Sequence, residues 1–318
     1  MLNPKIIFLV SDWVYNSPIF GKGVRLAGFY PVSNGMDNGV EHLRSKMQEG
    51  YSIMVFPEGT RSEDNSIKRF HKGAFYLAEQ LQLDIIPVII HGYSEVLPKG
   101  DFVINGGNTT VKILNRIAFN DASFGVDVSE RTKKISSFFK LEYKKMRLDL
   151  EGSNYFKAKL MNSYAFKETQ VLNAIKDDVE QNLELYFNLN KYIDAKAKIL
   201  HFGDDYGQLD VILTLEEPQR KIDSIIFSEE NRAVAKSNYI VKKRKINYLI
   251  TSEIDVHKKY DVVLISEEDT VSNLELVCNL VSTVIVLNNK KLKERVISFG
   301  FEIEFETEKM IVAKKLNQ

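Results

Sequence analysis

Apolar positions along the chain come in short continuous runs separated by stretches with helical spacing, and this alternation occurs twice. Residues 5–10, Lys5 and then Ile-Ile-Phe-Leu-Val, form a continuous run, the pattern of a buried strand. A second short strand is expected near Gly28-Phe29-Tyr30. A helix is expected over 38–48, where Val40, Leu43 and Met47 recur three and four residues apart. A third strand, 52–56, is stopped by Pro57 and Gly59. A helix over 73–81 carries Ala74, Leu77, Ala78 and Leu81 on one face, and a strong strand follows over 84–91. Pro87 inside that run marks an edge position or an interrupted ladder. The order suggests a parallel α/β unit.

From about residue 126 the pattern changes to two helical stretches, 128–150 and 171–189, with a break at Glu151-Gly152-Ser153. Strand and helix then alternate again. Strands are expected at 198–202, 222–227, 248–250, 260–266 and 283–287, with helices from about 208 to 215, 230 to 242, 271 to 280 and 290 to 299. The chain closes on Phe301-Glu302-Ile303-Glu304-Phe305 and Met310-Ile311-Val312-Ala313, which alternate like an antiparallel hairpin. The second half is therefore expected to be a doubly wound sheet with a C-terminal hairpin.

Composition narrows the function classes. A length of 318 residues suggests two domains at roughly 100–200 residues each. We expect domains at 1–125 and 191–318 with a helical connector at 126–190. The 43 basic and 43 acidic residues cancel, which argues against nucleic acid as the main partner. The single Cys278 excludes a disulfide framework and a cysteine-based zinc site. No run reaches about 18 consecutive apolar residues, and Ser11-Asp12 closes the first run too early for a signal peptide. The expectation is a cytoplasmic chain, peripheral at the inner membrane face.

The sharpest local pattern is Phe56-Pro57-Glu58-Gly59-Thr60-Arg61-Ser62, placed directly after a buried strand, where ligand sites of open α/β sheets collect. Gly59 lets a ligand approach the backbone, Thr60 and Ser62 supply hydroxyls, and Arg61 supplies a planar fork suited to phosphate. The bland alternative is an ordinary turn with a solvated arginine.

That heptapeptide resembles the third block of the glycerolipid acyltransferases, the family of 1-acylglycerol-3-phosphate acyltransferases. Its flanks agree in order. Asn16-Ser17-Pro18-Ile19-Phe20-Gly21 resembles a Pro-x-x-Gly turn segment, Gly28-Phe29-Tyr30-Pro31-Val32 the second block, Phe70-His71-Lys72-Gly73 the segment after the third, and Ile86-Pro87-Val88-Ile89-Ile90-His91-Gly92 the fourth. The resemblance covers about residues 4–115 and implies an acyltransferase-type mixed sheet with helices. It implies acyl transfer from acyl-CoA or acyl carrier protein to a lysophospholipid hydroxyl. Glu58, Gly59, Thr60 and Arg61 would line the acceptor phosphate site, and strand 86–90 would form a wall near the acyl donor.

Two departures stand out. Tyr30-Pro31-Val32-Ser33 lacks the arginine with which the family's second block ends. The family's base is a His followed five positions later by Asp. Here His42, His71, His91, His201 and His257 are followed at that offset by Met47, Tyr76, Val96, Tyr206 and Val262. A neutral hydroxyl needs a base to become a nucleophile. We therefore expect the dyad to lie upstream of Met1, with the chain truncated at its N-terminus and showing little turnover alone. His71 and His91 are substitute candidates without an orienting carboxylate.

In the second half, strand, Gly203-Asp204-Asp205-Tyr206-Gly207 and helix make the topology of a cofactor loop. The strand order resembles class I S-adenosylmethionine-dependent methyltransferases over about 195–315, and that resemblance implies cofactor contacts at Gly203, Gly207 and Glu229. His201 replaces the expected acid, Asp205 the middle glycine, and the acid after the second strand comes late, at Glu229-Glu230. These departures argue for a weakened or lost cofactor site. A helix N-terminal acid pair explains Glu229 and Glu230 equally well. The lysine-rich 128–150 stretch reads either as a contact for anionic lipid headgroups or as a solvated surface helix.

The tandem resembles the C-terminal part of bacterial fusions that join an MMPL-type lipid exporter, a lysophospholipid acyltransferase and a class I methyltransferase. Expected partners are a lysophospholipid and an acyl thioester, a membrane surface, and an upstream transporter or dyad-bearing segment. Two other readings stand beside the acyltransferase: a non-catalytic phospholipid-binding or assembly module, and a methyltransferase with an atypical cofactor loop.

Overall fold

The computed structural model describes residues 5–31, 36–62, 66–96, 107–255, 257–266, 278–279 and 281–315. The chain divides into two compact units, Met1–Asp149 and Leu150–Gln318.

The first unit opens with β1 (Ile6–Val10), α1 (Asp12–Tyr15), α2 (Gly21–Leu26), β2 (Tyr30–Pro31), α3 (Met36–Gln48) and β3 (Ser52–Met54). The apolar β1 is central: it pairs in parallel with β2 on one side and β3 on the other, in register Ile6 to Ser52 and Leu9 to Tyr30. Ile7, Leu43 and Leu81 are buried beneath this sheet, as the helical spacing of 38–48 requires. Then come α4 (Gly73–Gln80), β4 (Val88–His91), α5 (Tyr93–Val96), β5 (Thr110–Ile113) and the long α6 (Val128–Leu150).

β4 does not continue the parallel sheet, as the alternation suggests. It pairs antiparallel with β5 in a separate ribbon. Pro87 is the reason for the break: it donates no hydrogen bond, so only an isolated bridge, Ile85 to Ile117, precedes it, and Leu114 N donates to the Pro87 carbonyl at 2.9 Å. Facing pairs alternate across the ribbon. Ile89 is buried, and its facing residue Lys112 reaches Glu142 of α6. The opposite face carries Val88, Ile90, Val111 and Ile113, of which the first two are half-buried and the last two more than half exposed. Phe70, Phe75, Ile117 and Ile135 form the remaining core of this unit.

The second unit contains α7 (Lys157–Asn162), α8 (Thr169–Asn188), β6 (Lys198–Gly203), α9 (Gln208–Glu216), β7 (Lys221–Ile226), α10 (Glu229–Lys236), β8 (Lys245–Leu249), β9 (Val262–Ile265), β10 (Thr283–Leu287), α11 (Leu292–Ser298), β11 (Phe301–Glu306) and β12 (Met310–Lys315). The seven strands run in the order β11-β12-β10-β9-β6-β7-β8, all parallel except β12, which is antiparallel to both neighbours. This is the doubly wound sheet with terminal hairpin expected from the sequence. Buried runs such as Val262–Ile265 and Thr283–Leu287 read as continuous apolar stretches because both faces are covered. Ile199, Leu264 and Ile285 pack on the side of α8 and α9, and Leu200, Val263 and Val284 on the other. The expected helix over 271–280 lies almost wholly outside the described residues.

Candidate functional site

The heptapeptide 56–62 emerges from the C-terminal end of β3, next to the central strand of the first sheet. Gly59 has φ +66°, a left-handed turn that a side chain strains, and its amide donates to the Phe56 carbonyl at 3.0 Å. The loop is stitched to the returning segment at two points. His71 N donates to the Pro57 carbonyl at 2.7 Å, and Lys68 N donates to Glu58 Oε2 at 2.7 Å. The Glu58 carboxylate therefore braces the loop. Thr60 is exposed, whereas Arg61 and Ser62 are half-buried.

The spacing of the sequence does not reveal that His71 covers Gly59. A Cβ at position 59 would lie 3.1 Å from His71 Cδ2 and 3.2 Å from Nε2, so the imidazole occupies the space the glycine leaves. Of the other histidines, His42 stacks on Tyr30, His91 is buried beside Tyr143, and His201 is wholly buried in the second unit.

The second candidate loop lies between β6 and α9. The chain leaves β6 toward β7 and β8, then returns to place β9 on its other side, so the carboxyl ends of β6 and β9 form the topological switch point of the sheet. Gly203 ends β6 there, and Ser266 follows β9. His201 bridges them: Nδ1 faces Asp210 Oδ1 at 2.8 Å and Nε2 faces Ser266 Oγ at 3.0 Å. The atom order is that of a hydrolytic triad. Here, however, His201 and Asp210 are fully buried, and Ser266 Oγ is held against Gly203, where a Cβ would lie 2.4 Å from it. Asp204 and Asp205 are also engaged. Asp204 Oδ1 accepts from Ser228 N at 2.8 Å, and Asp205 Oδ1 accepts from Gly207 N at 2.9 Å. Burial pushes the Asp205 carboxyl up to about 7, against the pull of His201. Glu229 stands exposed in the first turn of α10, a helix capped by Ser228 Oγ, which accepts from Asn231 N. Gly207 adjoins Tyr248 and Ala235. Cys278 is buried, and burial pushes its thiol up to about 11.

Comparison with known proteins covers the stretch that holds the 56–62 loop. Residues 1–91 match the family model of the acyltransferases. The match lies wholly within the first unit. The chloroplastic 1-acyl-sn-glycerol-3-phosphate acyltransferase of Arabidopsis thaliana is 32% identical over 112 residues, covering 33% of this chain and 31% of the relative. The human 1-acyl-sn-glycerol-3-phosphate acyltransferase beta is 35% identical over 71 residues, 22% of this chain and 26% of the relative. The chain spans about a third of the length of such relatives. Among solved structures, PlsC from Thermotoga maritima aligns with a TM-score of 0.37 and 20% identity, covering 44% of this chain and 56% of that one. TrmK of M. capricolum, solved with S-adenosyl-homocysteine, aligns with a TM-score of 0.33 and 18% identity over 41% and 67%. The second unit has the methyltransferase-type sheet on the independent ground of its strand order. Among the described residues, no helix is long and apolar enough to cross a membrane.

Proposed function

We propose that the first unit performs the acceptor-binding part of acyl transfer to a lysophospholipid. The observation that carries this reading is the acyltransferase match over residues 1–91, whose Glu58-Gly59-Thr60-Arg61 loop opens at a strand end. Arg61 would pair with the acceptor phosphate, Thr60 would donate its hydroxyl, and Glu58 would hold the loop through Lys68 N. The partly exposed apolar face of the β4–β5 ribbon suits an acyl chain. The donor would be a thioester of coenzyme A or of an acyl carrier protein. In the reaction the acceptor oxygen forms a new ester bond with the acyl carbon. The C–S bond breaks, and the hydroxyl proton ends on the departing thiol. A base must carry that proton. Of the histidines, His71 is the one packed against the loop.

The test combines binding and turnover, using labelled lysophosphatidate and acyl-CoA. Arg61→Ala is expected to weaken lysophosphatidate binding about tenfold, the cost of a lost charge-assisted contact, and any turnover should fall with it. Unchanged binding would overturn the reading. Turnover by the parent that disappears in His71→Ala would identify the base. Binding without turnover would favour a phospholipid-binding module, a reading supported by the absence of an Asp five residues after any histidine.

For the second unit we propose a non-catalytic role. The residues of the β6–α9 loop do not fit S-adenosylmethionine: Asp205 brings a carboxyl to the place of the middle glycine, Ser266 and His201 fill the space over Gly203, and Glu229 is already explained by the α10 dipole. Equilibrium dialysis is expected to find no saturable binding of S-adenosylmethionine at millimolar concentration. Saturable binding that a bulky residue at Gly203 abolishes would instead support a methyltransferase with an atypical loop.

A further inference from the structure

The lysine-rich α6 is not uniformly solvated. Ser129, Thr132, Lys133, Ser136, Ser137 and Lys140 recur at three- and four-residue spacing and so share one face. With Arg69, Phe70 and Lys72 of the segment that precedes α4, this face lines a cleft of about 270 Å³. That volume sits near the lower edge of small-ligand pockets, at about 300 Å³. Buried Phe70 forms its floor and is fixed edge-on against Phe139 with ring centroids 5.2 Å apart.

The lining is one-sided in charge. It includes four cations and no carboxylate, in a chain whose charges otherwise balance at 43 to 43. None of the four is ion-paired with a described carboxylate. The acid that feels them is Asp127, which caps α6 by accepting from Ser129 N at 2.7 Å and Glu130 N at 2.9 Å. The Glu130 and Ser129 amides, with the charges of Lys72 and Lys133, hold its carboxyl below the ordinary range. Glu130 is taken by Lys134 at 2.9 Å, away from the cleft. Thr132 Oγ1 donates to the Val128 carbonyl, which leaves Ser129, Ser136 and Ser137 as the other hydroxyl-bearing residues of the lining. Cations around hydroxyl donors, over an aromatic floor, are the chemistry of phosphate recognition.

We propose that the cleft between residues 69–72 and α6 is a binding site for phosphate esters, separate from the 58–61 loop. It adjoins that loop through His71, which hydrogen-bonds Pro57, but it does not rest on the acyl-transfer reading. The phosphate has two sources, the nucleotide end of a coenzyme A compound or the headgroups of an anionic bilayer.

Two probes separate them: desulpho-coenzyme A by titration calorimetry, and phosphatidylglycerol–phosphatidylcholine vesicles by cosedimentation. The full-length chain should bind at least one of them, less tightly as salt rises. Lys133→Glu should weaken binding about tenfold, whereas Lys144→Glu, which makes the same charge change on α6 outside the cleft, should not. Both lysines are exposed, so folding is not at risk. Arg61→Ala should leave this binding intact even if it abolishes lysophosphatidate binding, so the two proposals fail separately. Coenzyme A binding with that variant pattern identifies a soluble ligand, and vesicle binding alone identifies the bilayer. Binding of neither probe, or equal loss in Lys133→Glu and Lys144→Glu, overturns the site.

Discussion

Arg220→Ala is expected to destabilise the second unit by about 4 kcal/mol, the combined cost of a cavity, of three lost charge-assisted hydrogen bonds and of the Ile193 carbonyl losing its donor. Arg220 is wholly buried in the turn between α9 and β7. Its guanidinium donates to three backbone carbonyls: Nη2 to Ile193 at 2.8 Å, Nε to Asp194 at 3.2 Å and Nη1 to Leu213 at 3.2 Å. Leu213 lies in the last turn of α9, where its carbonyl also accepts from Glu217 N at 3.2 Å. One side chain thus closes the end of α9 and ties it to the segment after α8. Arg220→Lys keeps the charge but not the fork, and should recover less than half of the loss. Urea unfolding followed by far-ultraviolet circular dichroism reads the difference. A loss below about 1 kcal/mol for Arg220→Ala would show that water replaces those donors.

Nothing in the sequence distinguishes Arg220 from a solvated arginine in a turn after Pro218. This limit recurs where a residue's role depends on what the fold brings beside it. The alternation of strands and helices was legible because burial imposes period and run length, as in Val262–Ile265, Thr283–Leu287 and the terminal hairpin. β5, Thr-Val-Lys-Ile, was not legible, since an exposed four-residue edge strand has no buried face to pattern it. α2 contains Gly21 and Gly23 and lacks the propensity of a helix. β8 starts at Lys245, earlier than the apolar run at 248–250, because its first residues alternate at the sheet edge. In the candidate sites, the 58–61 loop was visible as a block of adjacent residues. The contact of His71 with Gly59 and the His201–Asp210–Ser266 bridge join residues far apart in the chain, and only the sheet topology brings them together.

The second large effect concerns pH. Glu216, the last residue of α9, is buried and accepts from Asn190 Nδ2 at 3.0 Å. Burial pushes its carboxyl up to about 7, with Asn190 and then Arg220 pulling the other way. In the unfolded chain the same group releases its proton near 4.5. Between those values the folded unit binds more protons than the unfolded one, so stability falls as pH rises and levels off above 7. The loss is about 3 kcal/mol for a displacement of this size. Asp205, also pushed up to about 7, acts in the same direction and window. Asp223, held below its ordinary range with Asn247 as its largest downward pull, acts only at more acid pH. The unit should therefore be more stable at pH 5 than at pH 8. Glu216→Gln keeps an oxygen for Asn190 and removes the titration. It should raise stability at pH 8 by about 2 kcal/mol and flatten the slope between pH 5 and 8. Measuring urea midpoints for variant and parent across that range cancels the contributions common to both. An unchanged slope in Glu216→Gln would mean that this carboxyl ionises in the folded state near its ordinary value. Because Arg220 is one of the groups favouring the charged form, Arg220→Ala should steepen the parent's slope, and combining it with Glu216→Gln should return part of the lost stability at pH 8.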